Sequence, residues 1–269
     1  MSRRVVPPAR SGEVSPAQMV RGEVTVALAN LYLPEEEVEP LAALLTADES
    51  VRAERYHFPT DRRRFVVSRA ILRLLLASCL QLAPTDLRFH YGSAGKPFLD
   101  PRQNWGNVHF NVARSGDLAL YGLLREQDIG IDLEYQTSSV NYIGISDRFF
   151  SPAENQVIRS LPPAEQINAF YSFWTRKEAY VKGIGGGLGL PLDQFTVPLA
   201  SAAPVQVCAK GSSDERHVAT AWVNSGWLIY DLRVPPGYFA ALAVNGEITE
   251  LRQWEVLCRG RKFALVKSG

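Results

Sequence analysis

Asp128-Ile129-Gly130-Ile131-Asp132-Leu133-Glu134-Tyr135 alternates polar and apolar residues without a break. Successive side chains of a strand point to opposite faces, so Ile129, Ile131, Leu133 and Tyr135 share one face, and Asp128, Gly130, Asp132 and Glu134 the other. Outward from this strand the chain looks alike in both directions. Before it come an apolar stretch from Val24 to Leu33, a short helix opened by Pro34, a longer helix over 61–80, and strand-like runs at 87–91, 108–112 and 118–124. After it come helical patterns near 142–150, 152–160 and 163–182, then strands near 205–209, 218–223, 228–233 and 239–244. Each half reads as strand, helices, strands. The fold class is therefore α+β, with two similar lobes: residues 22–127 and 128–269, preceded by a flexible extension over 1–21. Arg125-Glu126-Gln127-Asp128 suits a tight hairpin at the junction, and the stretch 251–266 one more hairpin at the end.

Composition narrows the function. The chain has 269 residues, 46% hydrophobic, with 29 basic against 28 acidic side chains and a formal net charge of +1. Whole-molecule charge gives no reason to expect nucleic acid or an anionic membrane as partner, so any anion site is local. The longest apolar stretch, Ile71 to Leu80, is broken by Arg73 and falls well short of the roughly 20 residues a membrane-spanning helix needs. Cys79, Cys208 and Cys258 lie far apart, which fits neither a disulfide framework nor a metal knuckle. Pro7, Pro8, Arg10 and Gly12 interrupt any apolar core after Arg3 and Arg4, so a secretory signal is not expected and an organelle transit peptide is the alternative; with no Asn-x-Ser/Thr acceptor, a reducing, cytoplasmic location is expected.

Three stretches carry chemistry. Asp132 and Glu134, with Asp128, put carboxylates on one strand face, a donor set that suits Mg²⁺, and Gly130 leaves room beside them for a ligand or a backbone. A half-exposed strand with a solvated acidic face is the plain alternative. In Phe173-Trp174-Thr175-Arg176-Lys177-Glu178-Ala179-Tyr180-Val181-Lys182, Glu178 interrupts an apolar helical stripe and needs a metal, a cation or a proton; Lys182, one turn on, is a candidate partner. Third, Arg52, Arg55, Arg62, Arg63, Arg64, Arg69 and Arg73 face only Glu54 and Asp61, a candidate site for a multiply phosphorylated ligand or a solvated helix face. The glycines from Gly183 to Gly189 match no phosphate-loop pattern and follow a helix, so they read as a helix stop and turn. The four histidines show no metal spacing.

Taken together, Ile129-Gly130-Ile131-Asp132-Leu133-Glu134 and the Trp174 to Lys182 segment resemble the two signature motifs of the 4'-phosphopantetheinyl transferases, the second being W-[ST]-x-K-E-[AS]-x-x-K. The resemblance extends to Gly95-Lys96-Pro97, Phe110-Asn111, Phe149-Phe150-Ser151-Pro152-x-Glu154 and Gly187-Leu188-x-Leu190-Pro191-Leu192, and the length is similar to that of the monomeric, two-lobed Sfp-type subfamily. It implies lobes related by a pseudo-two-fold with the active site in the cleft between them, and transfer of phosphopantetheine from coenzyme A to a serine hydroxyl of an acyl or peptidyl carrier protein, releasing 3',5'-ADP. It implies Asp132, Glu134 and Glu178 as Mg²⁺ ligands, Lys182 on the phosphates, Glu178 as the base for the serine with Glu154 as a rival, and Arg52, Arg64 and Lys96 near the adenosine 3'-phosphate. Where the family has Ser-His after Phe-Asn-x, this chain has Ala113-Arg114; Arg114 offers a permanent charge to a phosphate and Ala113 loses a hydroxyl. A coenzyme A or carrier-binding module without transfer activity, and an Mg²⁺-dependent phosphodiesterase or nuclease, are the competing readings.

Overall fold

In a computed structural model, residues 20–199, 204–210, 222–259 and 262–267 are described. Along them run β1 (Glu23–Asn30), α1 (Glu35–Ala42), α2 (Ala47–Glu54), α3 (Pro59–Leu80), β2 (Phe89–Tyr91), β3 (Pro97–Leu99), β4 (Val108–Ser115), β5 (Leu118–Arg125) and β6 (Ile129–Tyr135). They continue through α4 (Tyr142–Phe149), α5 (Pro152–Ser160), α6 (Pro163–Ile184), β7 (Phe195–Thr196), β8 (Val205–Lys210), β9 (Trp222–Asp231), β10 (Tyr238–Asn245), β11 (Glu250–Arg259) and β12 (Lys262–Lys267). One five-stranded sheet has the order β12-β11-β1-β5-β4, a second the order β6-β10-β9-β8-β7, and β2 and β3 form a separate ribbon. Among the described residues no helix is long and apolar enough to cross a membrane.

Each sheet carries a 22-residue helix. Helix α3 starts on Pro59, whose missing N–H is no loss in a first turn, and stops at Gln81 in the left-handed conformation (φ 55°). From Phe65 onward it is buried nearly all round because α1 and α2 cover one side while Ala27, Ala29, Phe110 and Leu123 of the first sheet meet the other. Helix α6 likewise packs Phe170, Phe173 and Val181 against Ile229, Ala241 and Ala243. A third apolar layer lies between the sheets: Val24, Val26, Leu120 and Leu124 from the first meet Ile129, Ile131, Leu133, Leu242 and Val244 from the second. The first sheet is thus buried on both faces, which explains the nearly unbroken apolar run from Val24 to Leu33.

Three expectations are corrected. Residues 125–128 are no hairpin: β5 already has β1 and β4 on its two edges, so the chain passes through Glu126 (φ 65°) into the second sheet, where β6 pairs with β10. The terminal hairpin forms, as β11 and β12, but β11 pairs in parallel with the open edge of β1, so the last strands belong to the first sheet and not to the lobe expected over 128–269. The strands expected at 218–223 and 228–233 are one strand from 222 to 231, with residues 211–221 outside the described residues. The extension expected over 1–21 also lies, apart from Val20 and Arg21, outside them.

Candidate active site

Strand β6 gives one edge to β10 and is met on the other side by side chains of β4. Asn111 Oδ1 accepts a hydrogen bond from the Ile131 N–H at 2.9 Å, and Ser115 Oγ accepts one from the Tyr135 N–H at 2.9 Å. His109 Nδ1 lies 3.0 Å from Asp128 Oδ1. Side chains thus replace a backbone ladder along the seam between the lobes, and satisfy amides that would otherwise be buried without partners. The Phe110-Asn111 pair of the sequence is a lobe joint.

The polar face of β6 lies under α6. A Cβ at Gly130 would stand 2.0 Å from the Ala179 carbonyl oxygen and 2.2 Å from the Gly183 amide nitrogen, so only glycine lets strand and helix approach this closely. The room at Gly130 is taken by backbone. That approach buries Asp132, 2% exposed, so the face is not solvated there, while Glu134 is half-buried and Asp128 stays exposed. Lys182 Nζ sits 2.5 Å from Asp132 Oδ1, while Asp132 Oδ2 is buried with no hydrogen-bond partner among the described residues. Lys182 therefore pairs with the strand carboxylate and not with Glu178, the partner expected from helical spacing. Glu134 accepts a hydrogen bond from Ser115 Oγ at 3.2 Å.

Burial holds the Asp132 carboxyl above the usual range despite the Lys182 ammonium beside it. Burial and then the Asp132 charge raise both Glu134 and Glu178. The Asp132 charge thus acts on both glutamates. Among the described residues, however, no three acidic, histidine or cysteine side chains form a ready metal-binding set.

Glu178 and Lys182 open onto a cleft of about 490 Å³ between the lobes, walled by Lys96, Asn111, Val112, Phe149 and Trp174. A side pocket of about 160 Å³ continues it past Gly95, Pro97 and Val112, and there Arg52, Arg69, Arg114 and Tyr91 converge. The guanidiniums of Arg52 and Arg114 lie 5.6 and 5.9 Å from the centre of the Phe65 ring, and neither makes an ion pair among the described residues. Arg69 is committed to Glu49 (3.3 Å) and to the Tyr91 hydroxyl (2.8 Å). A larger cleft of about 640 Å³ shares Lys96, Pro97 and Gly185 but holds none of the three carboxyls, so chemistry favours the smaller one.

Several expected site residues serve the fold. Glu154, 3% exposed, caps α5: Oε2 accepts from the Ser151 N–H and from Lys177 Nζ, each at 2.9 Å, and Oε1 from the Val197 N–H at 2.9 Å. Its acceptor positions are occupied away from the cleft, so it is no candidate base. Lys177 is fully buried, donating also to the Leu192 and Phe195 carbonyls at 2.7 Å. Arg64 is held by Asp117 (2.8 Å) and Asp61 (3.2 Å) and lines neither the cleft nor its side pocket. Arg73 is buried against Glu49 at 2.6 Å. Lys96 reaches the cleft, yet its Nζ donates to the carbonyls of Ile129 (3.0 Å) and Gly183 (2.8 Å), binding β6 to the end of α6. Ala113 points into the apolar layer between the lobes, so the lost hydroxyl has no place in the cleft. Gly185, left-handed at φ 69°, ends α6 as a helix stop should. Sequence reasoning missed Asn111 and Ser115 as the seam; their signal was two polar side chains four residues apart, and so on one face of the strand, with Ala113 between them.

Residues 128–230 match the family model of the 4'-phosphopantetheinyl transferase superfamily, and residues 34–122 that of the 4'-phosphopantetheinyl transferase N-terminal region. The 4'-phosphopantetheinyl transferase HetI of Nostoc is 38% identical over 174 residues, 65% of this chain and 73% of that one. A putative 4'-phosphopantetheinyl transferase of Synechocystis is 38% identical over 202 residues, 75% and 79% of the two chains, and Sfp of Bacillus subtilis 29% identical over 195, 72% and 84%. A crystal structure of Thermotoga maritima holo-[acyl-carrier-protein] synthase, 16% identical, covers 52% of this chain and 82% of that one at a TM-score of 0.33. The chain belongs to the 4'-phosphopantetheinyl transferases, enzymes that move phosphopantetheine from coenzyme A to carrier proteins.

Proposed function

We propose that transfer takes place at the lobe seam, with Asp132, Glu134 and Glu178 holding Mg²⁺ and the Arg52–Arg114 pocket holding the far phosphate of coenzyme A. The carrying observation is the Oδ2 of Asp132, a buried acceptor with no partner among the described residues, beside two further carboxyls whose ionisation it opposes. Hard oxygen donors in this number fit Mg²⁺ in kind. When bound, the metal would offset charge building on the departing diphosphate.

The chain's own residues do the rest. Arg52 and Arg114, which make no ion pair among the described residues, bring permanent charges to the side pocket, suited to a phosphate monoester. Lys182, on the cleft wall, is placed for the pyrophosphate oxygens. The carrier serine hydroxyl gives its proton to Glu178, which lines the cleft one helical turn from Lys182. Its oxygen then bonds to the phosphorus carrying the pantetheine, and the bond from that phosphorus to the bridging oxygen breaks; the bridging oxygen keeps the electron pair and leaves as part of 3',5'-ADP.

In this reading the enzyme is a cytoplasmic monomer that engages coenzyme A and acyl or peptidyl carriers, without nucleic acid or membrane as partner. Support comes from the near-neutral charge and from three cysteines that lie far apart in the sequence. The test is to incubate the protein with Mg²⁺, coenzyme A and an apo carrier. A mass gain of one phosphopantetheinyl group, lost in Asp132→Ala and lost on chelation, is expected; no gain on several carriers refutes the reading.

A further inference from the structure

The Asp132–Lys182 contact is unequal. Asp132 sits on a strand clamped to α6 through Gly130 and is 2% exposed, whereas the Lys182 side chain is 34% exposed and reaches in from the cleft wall. The backbone beside Lys182 cannot shift, because Gly183 is one of the atoms against which Gly130 is pressed. The lysine stem has four rotatable bonds; the aspartate is fixed. Only the ammonium can leave.

It also under-neutralises what it meets. Glu134 and Glu178 both feel the Asp132 charge, so three carboxyls share one lysine, and the second oxygen of Asp132 stays without a partner among the described residues. A buried carboxylate without a cation is costly, which gives Lys182 a role before any ligand arrives.

We infer that Lys182 is a placeholder cation: in the metal-free protein its ammonium balances Asp132 from Oδ1, and a divalent cation taken up at the open Oδ2 replaces that charge and frees the lysine into the cleft. The inference rests on the metal reading above and adds an order to it. Metal entry and release of the phosphate-binding lysine become one event, so Lys182 is offered to a phosphate only once the carboxyls are occupied. The same linkage weakens the affinity of the bare protein for metal by the fraction of time the lysine is away: a contact closed about nine-tenths of the time raises the apparent Kd about tenfold.

The test uses the full chain stripped of metal, with Mn²⁺ alone as probe, followed by water-proton relaxation. Lys182→Gln removes the charge and keeps a hydrogen-bond donor for Asp132; its Kd for Mn²⁺ is expected to fall about tenfold. Arg114→Gln removes a cleft charge that does not touch Asp132, and less than a twofold change is expected. In the parent, reductive methylation of Lys182 is expected to be slow in chelator and several-fold faster with saturating Mn²⁺. That measurement needs no variant and stands if Lys182→Gln fails to fold. Equal strengthening in both variants reduces the effect to a general field and overturns the placeholder, as does methylation that ignores Mn²⁺. Full Mn²⁺ binding with unchanged affinity in Lys182→Gln defeats the placeholder alone; no Mn²⁺ binding by any form, with or without coenzyme A, defeats the metal reading with it.

Discussion

Gly130→Ala places one methyl group where the site is built. The new Cβ would lie 2.0 Å from the Ala179 carbonyl oxygen, 2.2 Å from the Gly183 nitrogen and 2.7 Å from the Gly183 Cα, against 3.4 Å for ordinary contact. All three are backbone atoms, so no side-chain rotation relieves the clash, and β6 must part from α6 by about 1.4 Å along the shortest vector. Overpacking of this kind costs about 1–3 kcal/mol, and the absence of a soft neighbour puts the expectation at the upper end. The same displacement separates Asp132 and Glu134 on the strand from Glu178 and Lys182 on the helix, and a misplacement of about 1 Å can cost about 100-fold in rate. Arg52 and Arg114 stand on the first lobe and stay where they are. Urea unfolding should therefore show the lost stability. Carrier-modification kinetics on the folded fraction should show kcat down about 100-fold with the KM for coenzyme A changed far less. Parent-like stability and kcat together would refute the close approach as the reason for glycine.

Arg114→His tests the side pocket: a neutral imidazole loses the charge, so the KM for coenzyme A should rise as pH climbs past about 6.5, while the parent holds steady; equal KM values for the two proteins at every pH would remove Arg114 from the phosphate. The acidic cluster gives a pH signature. Asp132, Glu134 and Glu178 all have raised folded pKa values, so their contribution is fully present below the ordinary carboxyl range and is lost as pH rises through the folded values. Melting in chelator should thus fall more steeply with rising pH in the parent than in Asp132→Asn, and added Mg²⁺ should flatten the parent's slope; identical slopes in chelator would contradict the coupling.

The sequence showed the outline of this fold where local chemistry speaks for itself. The alternation at 129–135 became a strand with the expected faces, α3 and α6 lie within a few residues of their apolar periods, and the glycines after Lys182 end a helix. Tertiary competition decided the rest. Nothing near 125–128 announces that β5 has both edges taken, and nothing in 251–266 says that β1 has one to spare. At the site, residue type was legible and commitment was not. Arg64 and Arg114 look alike in a string, yet one is held by two aspartates and the other makes no ion pair among the described residues. Glu154 and Glu178 are both helical glutamates beside aromatic residues. Only the capping of α5 and the buried Lys177 show that the first is structural.

That contrast supplies the most direct measurement: single-turnover phosphopantetheine transfer to an apo carrier by Glu178→Gln and Glu154→Gln, each corrected for its folded fraction. Loss of a positioned base costs about 100- to 10,000-fold, so Glu178→Gln should fall by at least the lower figure, while Glu154→Gln, though less stable, should transfer at the parental rate. Parental transfer by Glu178→Gln, or loss of transfer confined to a fully folded Glu154→Gln, would contradict a reaction centred on the lobe seam.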